Sequence, residues 1–479
     1  MTERSGEAPA PAQRSSRILA LACGATFLAL LDVTVVNLAI ADLRDAYPDS
    51  SVTDLSWVIT LYAVLFAALL APAGRISDAI GRRRLFTIGV GAFTLFSLAC
   101  ALAPNVPTLY VFRALQGAAA GAMIPASLAI ILMDSPPERR ASAIGSWSAA
   151  GALAAAIGPS VGGVLVDAFT WRSLFLINIP FGILMTIGAR IVPADTGRGR
   201  IPDPLGTVLF GGGIGLAALG VTEAGSWGWG SARTLVVLAA AIVLVLLALG
   251  RSIRHQNPAI ETELWRTRAF TAANIGALLY GGVLFAWMLT GVLFLTSVWG
   301  YSELKAGLAM SPAAVAASAC AVYAGRLIAR IGPGPVAAGA LLLIVAAGLW
   351  ATFALPTKPS FLTFWLPCGT LVSIGMGAVT TALATAAALS VGPLRFAGAT
   401  GLNQTSRQVG GALGIAVMTV LLRSGTSSAD DFARSYAFCT ILAGAATLVV
   451  AVALIQWRKP APGASAATSS QPSVAGDPA

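Results

Sequence analysis

The stretch GRISDAIG, from Gly74 to Gly81, returns 251 residues later as GRLIARIG, from Gly325 to Gly332. Both glycines and the first arginine keep their spacing, and each copy is a short polar break between two long apolar runs. A second echo sets RRASAIGSW (Arg139–Trp147) against RFAGATGLN (Arg395–Asn403), 256 residues apart. The two offsets map the first six apolar runs onto the last six. A chain with two six-helix halves of like orientation has the arrangement of transporters built from parallel repeats, with the substrate site between the halves.

The composition agrees. Of 479 residues, 57 % are hydrophobic and only 10 % are Asp, Glu, Lys or Arg, whereas a soluble domain carries about a quarter charged residues. With a mean hydropathy of +0.81, this excludes a soluble enzyme, a disordered chain and a disulfide scaffold. A bilayer core needs about 20 apolar residues per helix, and fourteen nearly uncharged runs meet that length, the seventh over about 204–221. The expected organisation is a cytoplasmic tail at 1–17, a six-helix half at 18–193, two additional helices at 194–250, a cytoplasmic linker at 251–268, a second six-helix half at 269–457 and a disordered tail at 458–479.

The net charge of +10 is explained by topology. With the N-terminus inside, 21 of the 30 basic residues fall on the inner face and 7 on the outer, leaving Arg113 and Arg407 within spans. That bias satisfies the positive-inside rule and places both termini in the cytoplasm. It removes the case for nucleic acid as a partner. All five cysteines fall inside spans as small apolar side chains, so neither a disulfide nor a metal site is expected. The lone His255 reads as a solvated linker residue.

Asp32 is the one acid placed deep in a span, where an ionised carboxylate costs several kcal/mol unless paired or protonated. Span one exits eight residues after Asp32 and span four enters six residues before Arg113, depths of about 12 and 9 Å. The two charges therefore lie at similar depth, and Gln116, one turn from Arg113, is the nearest polar relay. Asp78 stands where it can accept amides at the start of span three and pair with Arg75 or Arg82. Arg407, in NQTSRQVGGALG (Asn403–Gly414), lies near mid-depth; it either balances Asp32 across a cavity or meets an anionic group on a substrate. Asn37, Gln116, Asn178 and Arg407 are the cavity candidates, with Tyr280, Phe285, Trp287 and Met288 behind them.

Five motifs in sequence carry a resemblance. LDVTVVNLAI (Leu31–Ile40), GRISDAIGRRR (Gly74–Arg84), RALQGAAAGAMIPAS (Arg113–Ser127), GPSVGG (Gly158–Gly163) and WRSLFLINIPFG (Trp171–Gly182) follow in order at matching places. The chain resembles the fourteen-span drug:proton antiporter branch of the major facilitator superfamily, departing at Ala41, usually Pro, and Ala154, usually Gly. The resemblance implies an all-α polytopic membrane protein of the major facilitator fold, two six-helix halves plus two extra central helices. It further implies proton coupling by Asp32 and Arg113, and a gating loop of Gly74, Arg75, Asp78, Gly81 and Arg82 that latches the cytoplasmic ends together. Gly145, Gly158, Pro159, Gly162 and Gly163 are similar to the span-five antiporter motif, with Pro159 kinking the helix.

The function expected is export of an amphipathic drug or antibiotic across the bacterial inner membrane in exchange for protons. The exporter would be a functional monomer without cofactor. An importer on the same fold is the first rival, and the antiporter motif argues against it. A channel or a membrane enzyme is the second; no cluster of His, Cys or acids and no nucleotide loop supports an enzyme.

Overall fold

The computed structural model describes residues 11–197, 200–422 and 428–454, and among these it is helical with no strands. In chain order the helices are α1 (Pro11–Val35), α2 (Val52–Ile80), α3 (Arg82–Ala101), α4 (Val106–Asp134) and α5 (Arg140–Ala168). There follow α6 (Ser173–Ile191), α7 (Pro204–Trp227), α8 (Ala232–Arg254), α9 (Arg268–Ser297) and α10 (Glu303–Ile331). The last are α11 (Pro333–Phe353), α12 (Phe361–Leu389), α13 (Phe396–Leu421) and α14 (Ala429–Leu454). A 3-10 turn (Val36–Ala39) and a short helix (Ile40–Ala46) prolong α1.

Thirteen of these are long and apolar enough to cross a membrane. The exception is α13, 26 residues long, whose polar run NQTSRQ (403–408) lowers its hydropathy. Much of that run is buried: Asn403, Gln404 and Thr405 are 5 % exposed or less. A polar stretch facing protein and not lipid needs no apolar sequence.

Polar caps end several helices where they meet water. Ser51 and Asp54 form a reciprocal capping box at α2, and Asn105, Asp203, Ser231 and Ser302 each accept an amide from the first turn of α4, α7, α8 and α10. At the two repeat loops, Gly81 (φ +99°) and Gly332 (φ +87°) reverse the chain between α2 and α3 and between α10 and α11. Side chains other than hydrogen are strained in that region, which explains why both copies of the motif end in glycine.

Each half has its own buried core, one centred on α1 to α6 and one on α9 to α14. The halves meet along two seams built from the same pair of motifs. A Cβ on Gly74 of α2 would lie 2.3 Å from the Ala397 carbonyl oxygen of α13, and one on Gly401 of α13 would lie 2.3 Å from that of Leu70. Across the other seam, a Cβ on Gly325 of α10 would lie 2.6 Å from the Ala141 oxygen of α5, and one on Gly145 of α5 would lie 2.6 Å from that of Ala321. The repeat relates Gly74 to Gly325 and Gly145 to Gly401, so the pseudo-symmetry of the sequence appears as two matching backbone contacts. Helices approach this closely only over small residues.

Helices α7 and α8 pack on each other through Gly213 and Gly220. Phe210 and Ile214 of α7 join Ala67 and Ala71 of α2 and Leu402 of α13 in one apolar cluster, so the extra pair lies across the α2–α13 seam. Helix α7 runs past the expected end near 221 and buries Glu223 to 6 % exposure. Glu223 thus joins Asp32, Asp78, Asp203 and Glu261 among the buried acids, and its Oε2 accepts the Ser226 hydroxyl at 2.8 Å.

Candidate ion-coupling and gating sites

Asp32 lies in the last turn of α1 and is fully buried. Its Oδ2 receives Nη1 of Arg113 at 2.6 Å, and its Oδ1 receives Nε2 of Gln116 at 3.0 Å and Nδ2 of Asn178 at 2.9 Å. Helices α1, α4 and α6 thus each supply part of one network. Arg113 is held by further contacts: Nε donates to the Val58 carbonyl at 3.0 Å, Nη1 also to Gln116 Oε1 at 2.8 Å, and the guanidinium stacks 4.3 Å over the Tyr62 ring. An ion pair taken out of water persists only when its remaining donors and acceptors are satisfied, and here nearly all are. The exception is Asn178 Oδ1, buried with no partner among the described residues.

The expected depth match between Asp32 and Arg113 is realised as direct contact. Gln116 and Asn178 are both fully enclosed in the network, so they hold the carboxylate and do not line an open cavity; burial behind three helices is not visible in residue spacing. The side chain of Asn37 lies outside the described ones. Ser97, which accepts the second Asn178 proton at 3.0 Å and donates to the Phe175 carbonyl at 2.9 Å, was not anticipated. Neither was Tyr62, whose hydroxyl donates to the Ala29 carbonyl at 3.1 Å. Both are ordinary span residues in sequence, and only the fold assigns them neighbours.

The loop between α2 and α3 is a second network. Asp78 belongs to the end of α2, and the amides it accepts are those of α13, not of α3: Gly398 N–H at 2.7 Å and Ala397 N–H at 3.3 Å. An acid at a helix N-terminus also meets the positive end of the helix dipole. Arg82 clamps the same carboxylate at 3.0 Å, reaches Asp195 at 3.1 Å and donates to the Pro393 carbonyl at 3.0 Å. Arg75 pairs with Glu261 of the linker and donates to the Pro258 carbonyl at 3.1 Å, and Arg395 approaches the other Glu261 oxygen at 3.4 Å. The segment between the halves therefore joins the same network. Asp195, Glu261 and Arg395 are absent from the loop motif itself, and no spacing in the sequence connects them to it.

A sequence profile described as Major Facilitator Superfamily matches residues 22–415. The chain belongs to the major facilitator superfamily. This major facilitator is 33 % identical over 430 residues to the methylenomycin A resistance protein of Streptomyces coelicolor, covering 88 % of this chain and 89 % of the relative. It is likewise 33 % identical over 445 residues to a cephamycin export protein of Amycolatopsis lactamdurans, covering 91 % of each. The fold is also that of the human organic anion transporter MFSD10, with a TM-score of 0.67 at 15 % identity over 91 % of this chain and 99 % of that one. The chain is thus a multi-pass membrane protein whose relatives bear the names of antibiotic resistance and export proteins.

In this major facilitator the span-five motif lies on α5, which passes through Pro159 as one helix. Gly145 belongs to the α5–α10 seam. At Gly158 a Cβ would fall 1.9 Å from the Thr34 hydroxyl oxygen of α1, so α5 presses on the helix that carries Asp32. Gly162 is buried, whereas a Cβ on Gly163 would meet nothing within 4 Å among the described residues. Gly163 is therefore not fixed by packing there.

Asp32 is engaged by Arg113, Gln116 and Asn178, and no hydrogen bond or ion pair joins it to Arg407 among the described residues. Of the other cavity candidates, Trp287 and Tyr280 are core residues: Trp287 packs on Tyr436 at 4.7 Å and the Tyr280 hydroxyl bonds Thr380 at 2.8 Å. Phe285 faces the α13 backbone at Gly411, while Met288 is 42 % exposed on the outer surface of α9.

Proposed function

We propose that this chain is a proton-coupled antiporter that exports amphipathic drug-like compounds or antibiotics across the bacterial inner membrane by alternating access. In this reading it has fourteen spans with both termini cytoplasmic, works as a monomer and uses no cofactor. The observation that carries the reading is the fully buried Asp32–Arg113 pair with its two amide donors.

A proton reaching Asp32 from outside removes the charge that holds Arg113. The neutral acid needs an acceptor for its O–H, and Asn178 Oδ1, without a partner among the described residues, is an acceptor within the network. Re-pairing of Arg113 then loosens α1 against α4 and α6, and α5 senses this through the Thr34–Gly158 contact. In the same cycle the Asp78–Gly398 and Arg75–Glu261 contacts open and close the cytoplasmic end. One charge moving through about 100 mV contributes ~2.3 kcal/mol and one pH unit ~1.4 kcal/mol. Together these sustain a gradient of roughly several hundredfold for a neutral compound.

Proteoliposomes loaded with an uncharged or anionic fluorescent amphipathic compound test the reading. External acidification should expel dye from right-side-out vesicles with coupled proton entry, and a protonophore, by collapsing the gradient, should stop the dye efflux. Dye efflux indifferent to the proton gradient would remove proton coupling from the mechanism.

A further inference from the structure

We infer that Arg407 is the recognition group for an oxyanion, most simply a carboxylate, on the exported amphipathic molecule. This rests on the reading of the chain as a transporter of such molecules and adds the charge of its cargo.

The other enclosed cations have acids: Arg113 has Asp32, Arg82 has Asp78 and Asp195, and Arg75 has Glu261. Arg407, near the middle of α13, has none. Its side chain is half-buried, its Nε is enclosed without a partner, and no hydrogen bond or ion pair joins its guanidinium to any described residue. Its neighbour Tyr280 is neutral and already committed to the Met376 carbonyl at 3.0 Å and to Thr380. Asp32 is saturated within its own network and cannot answer for it.

A structural role is also poorly supported. Across the repeat, the position 256 residues earlier is Gly151, so the equivalent helix of the first half packs with no side chain there. The α9–α13 contact is made by backbone: Cβ atoms on Gly281 and Gly410 would lie 2.1 and 1.8 Å from the Arg407 and Leu278 carbonyl oxygens. That contact fixes the Arg407 backbone without using its guanidinium. An arginine stays protonated under such conditions, and a lone cation at membrane depth is costly. An incoming carboxylate relieves that cost with two parallel N–H bonds. A cation meets repulsion at the same place.

The test is an isosteric pair, 1-naphthaleneacetate and its neutral amide, titrated into full-length protein in nanodiscs. The wild type should bind the acid about tenfold or more tightly than the amide. Arg407→Gln should erase the difference, and Arg407→Lys should restore part of it. In the wild type, labelling of the Arg407 peptide by phenylglyoxal should be slowed by the acid and not by the amide, a readout that needs no folded variant. A wild type that fails to bind the acid, shows no preference for it, or keeps the preference in Arg407→Gln overturns the inference. Acid selectivity at Arg407 without gradient-driven dye flux would sink the export reading and leave the site. Flux without acid selectivity would do the reverse.

Discussion

The Asp78 carboxylate of the first half accepts the Gly398 amide of the second at 2.7 Å, so one acid joins the end of α2 to the first turn of α13. Charged hydrogen bonds of this kind contribute roughly 1.5–3 kcal/mol each. Asp78→Asn keeps an acceptor and removes the charge that Arg82 and the helix dipole reward. Turnover is expected to fall about tenfold with drug affinity within about twofold. Spin labels across the α2 and α13 ends joined by Asp78 should show the separated population increasing. Loss of folded protein with unchanged turnover per molecule would make the loop merely structural.

The two seams give a sharper steric prediction. Gly74→Ala and Gly325→Ala each drive a methyl to within 2.3 and 2.6 Å of a carbonyl oxygen across the halves. The backbones must part, at a cost of roughly 1–3 kcal/mol, and transport should drop sharply in both variants. Gly91→Ala and Gly339→Ala, where nothing lies within 4 Å, are the controls and should be silent. Equal effects at all four positions in a transport and thermal-stability series would refute the close-approach account.

Asp32 and Arg113 can be separated by a double-mutant cycle. Asp32→Asn strands a buried cation, a defect of about 3–5 kcal/mol, so the melting temperature should fall and gradient-driven export should vanish. Adding Arg113→Gln removes the stranded charge. The double variant should recover much of the stability and none of the export. Recovery of both would reduce the pair to a helix clamp.

The pairing of two helices at the site is legible in the sequence, and for a definite reason. Membrane depth is set by a rise per residue counted from a span end, so Asp32 and Arg113 could be placed level from spacing alone. The repeat offsets likewise foretold which loops correspond. What spacing does not encode is the partner across the half interface. Asp78 was expected at the amides of the adjacent α3 and is found at those of α13, some 320 residues away. Glu261 and Asp195 are ordinary polar linker residues until the chain returns beneath α2. Glu223 escapes a hydropathy reading that ends the span near 221, because the helix continues six residues further, to Trp227.

Outside the spans, Asp203 caps α7 and pairs with Arg251, whose Nη2 donates to its Oδ1 at 3.0 Å. The Arg251 hydrogen bond holds the Asp203 carboxyl below its ordinary value. A depressed carboxyl stabilises the folded protein above its unfolded value and loses that contribution as pH falls through the folded one. The melting temperature should therefore decline on acidification below the ordinary carboxylate range. Asp203→Asn, which keeps the cap and loses the pair, should flatten that decline. An identical pH profile in the variant would show that other carboxylates govern it.

Arg407 as an anion site has an electrical consequence that binding alone does not reveal. If one proton enters for each monoanion that leaves, both movements carry positive charge inward, so two charges cross per cycle. At about 100 mV that contributes ~4.6 kcal/mol, against ~2.3 kcal/mol for a neutral compound and none for a monocation. In proteoliposomes clamped with potassium and valinomycin at matched pH, the limiting gradient should rise about two-thousandfold per 100 mV for an anion and about fortyfold for a neutral drug. Equal voltage dependence for the two cargoes would mean that the anion travels with a compensating second cation. The one-proton cycle on Asp32 would then have to be abandoned.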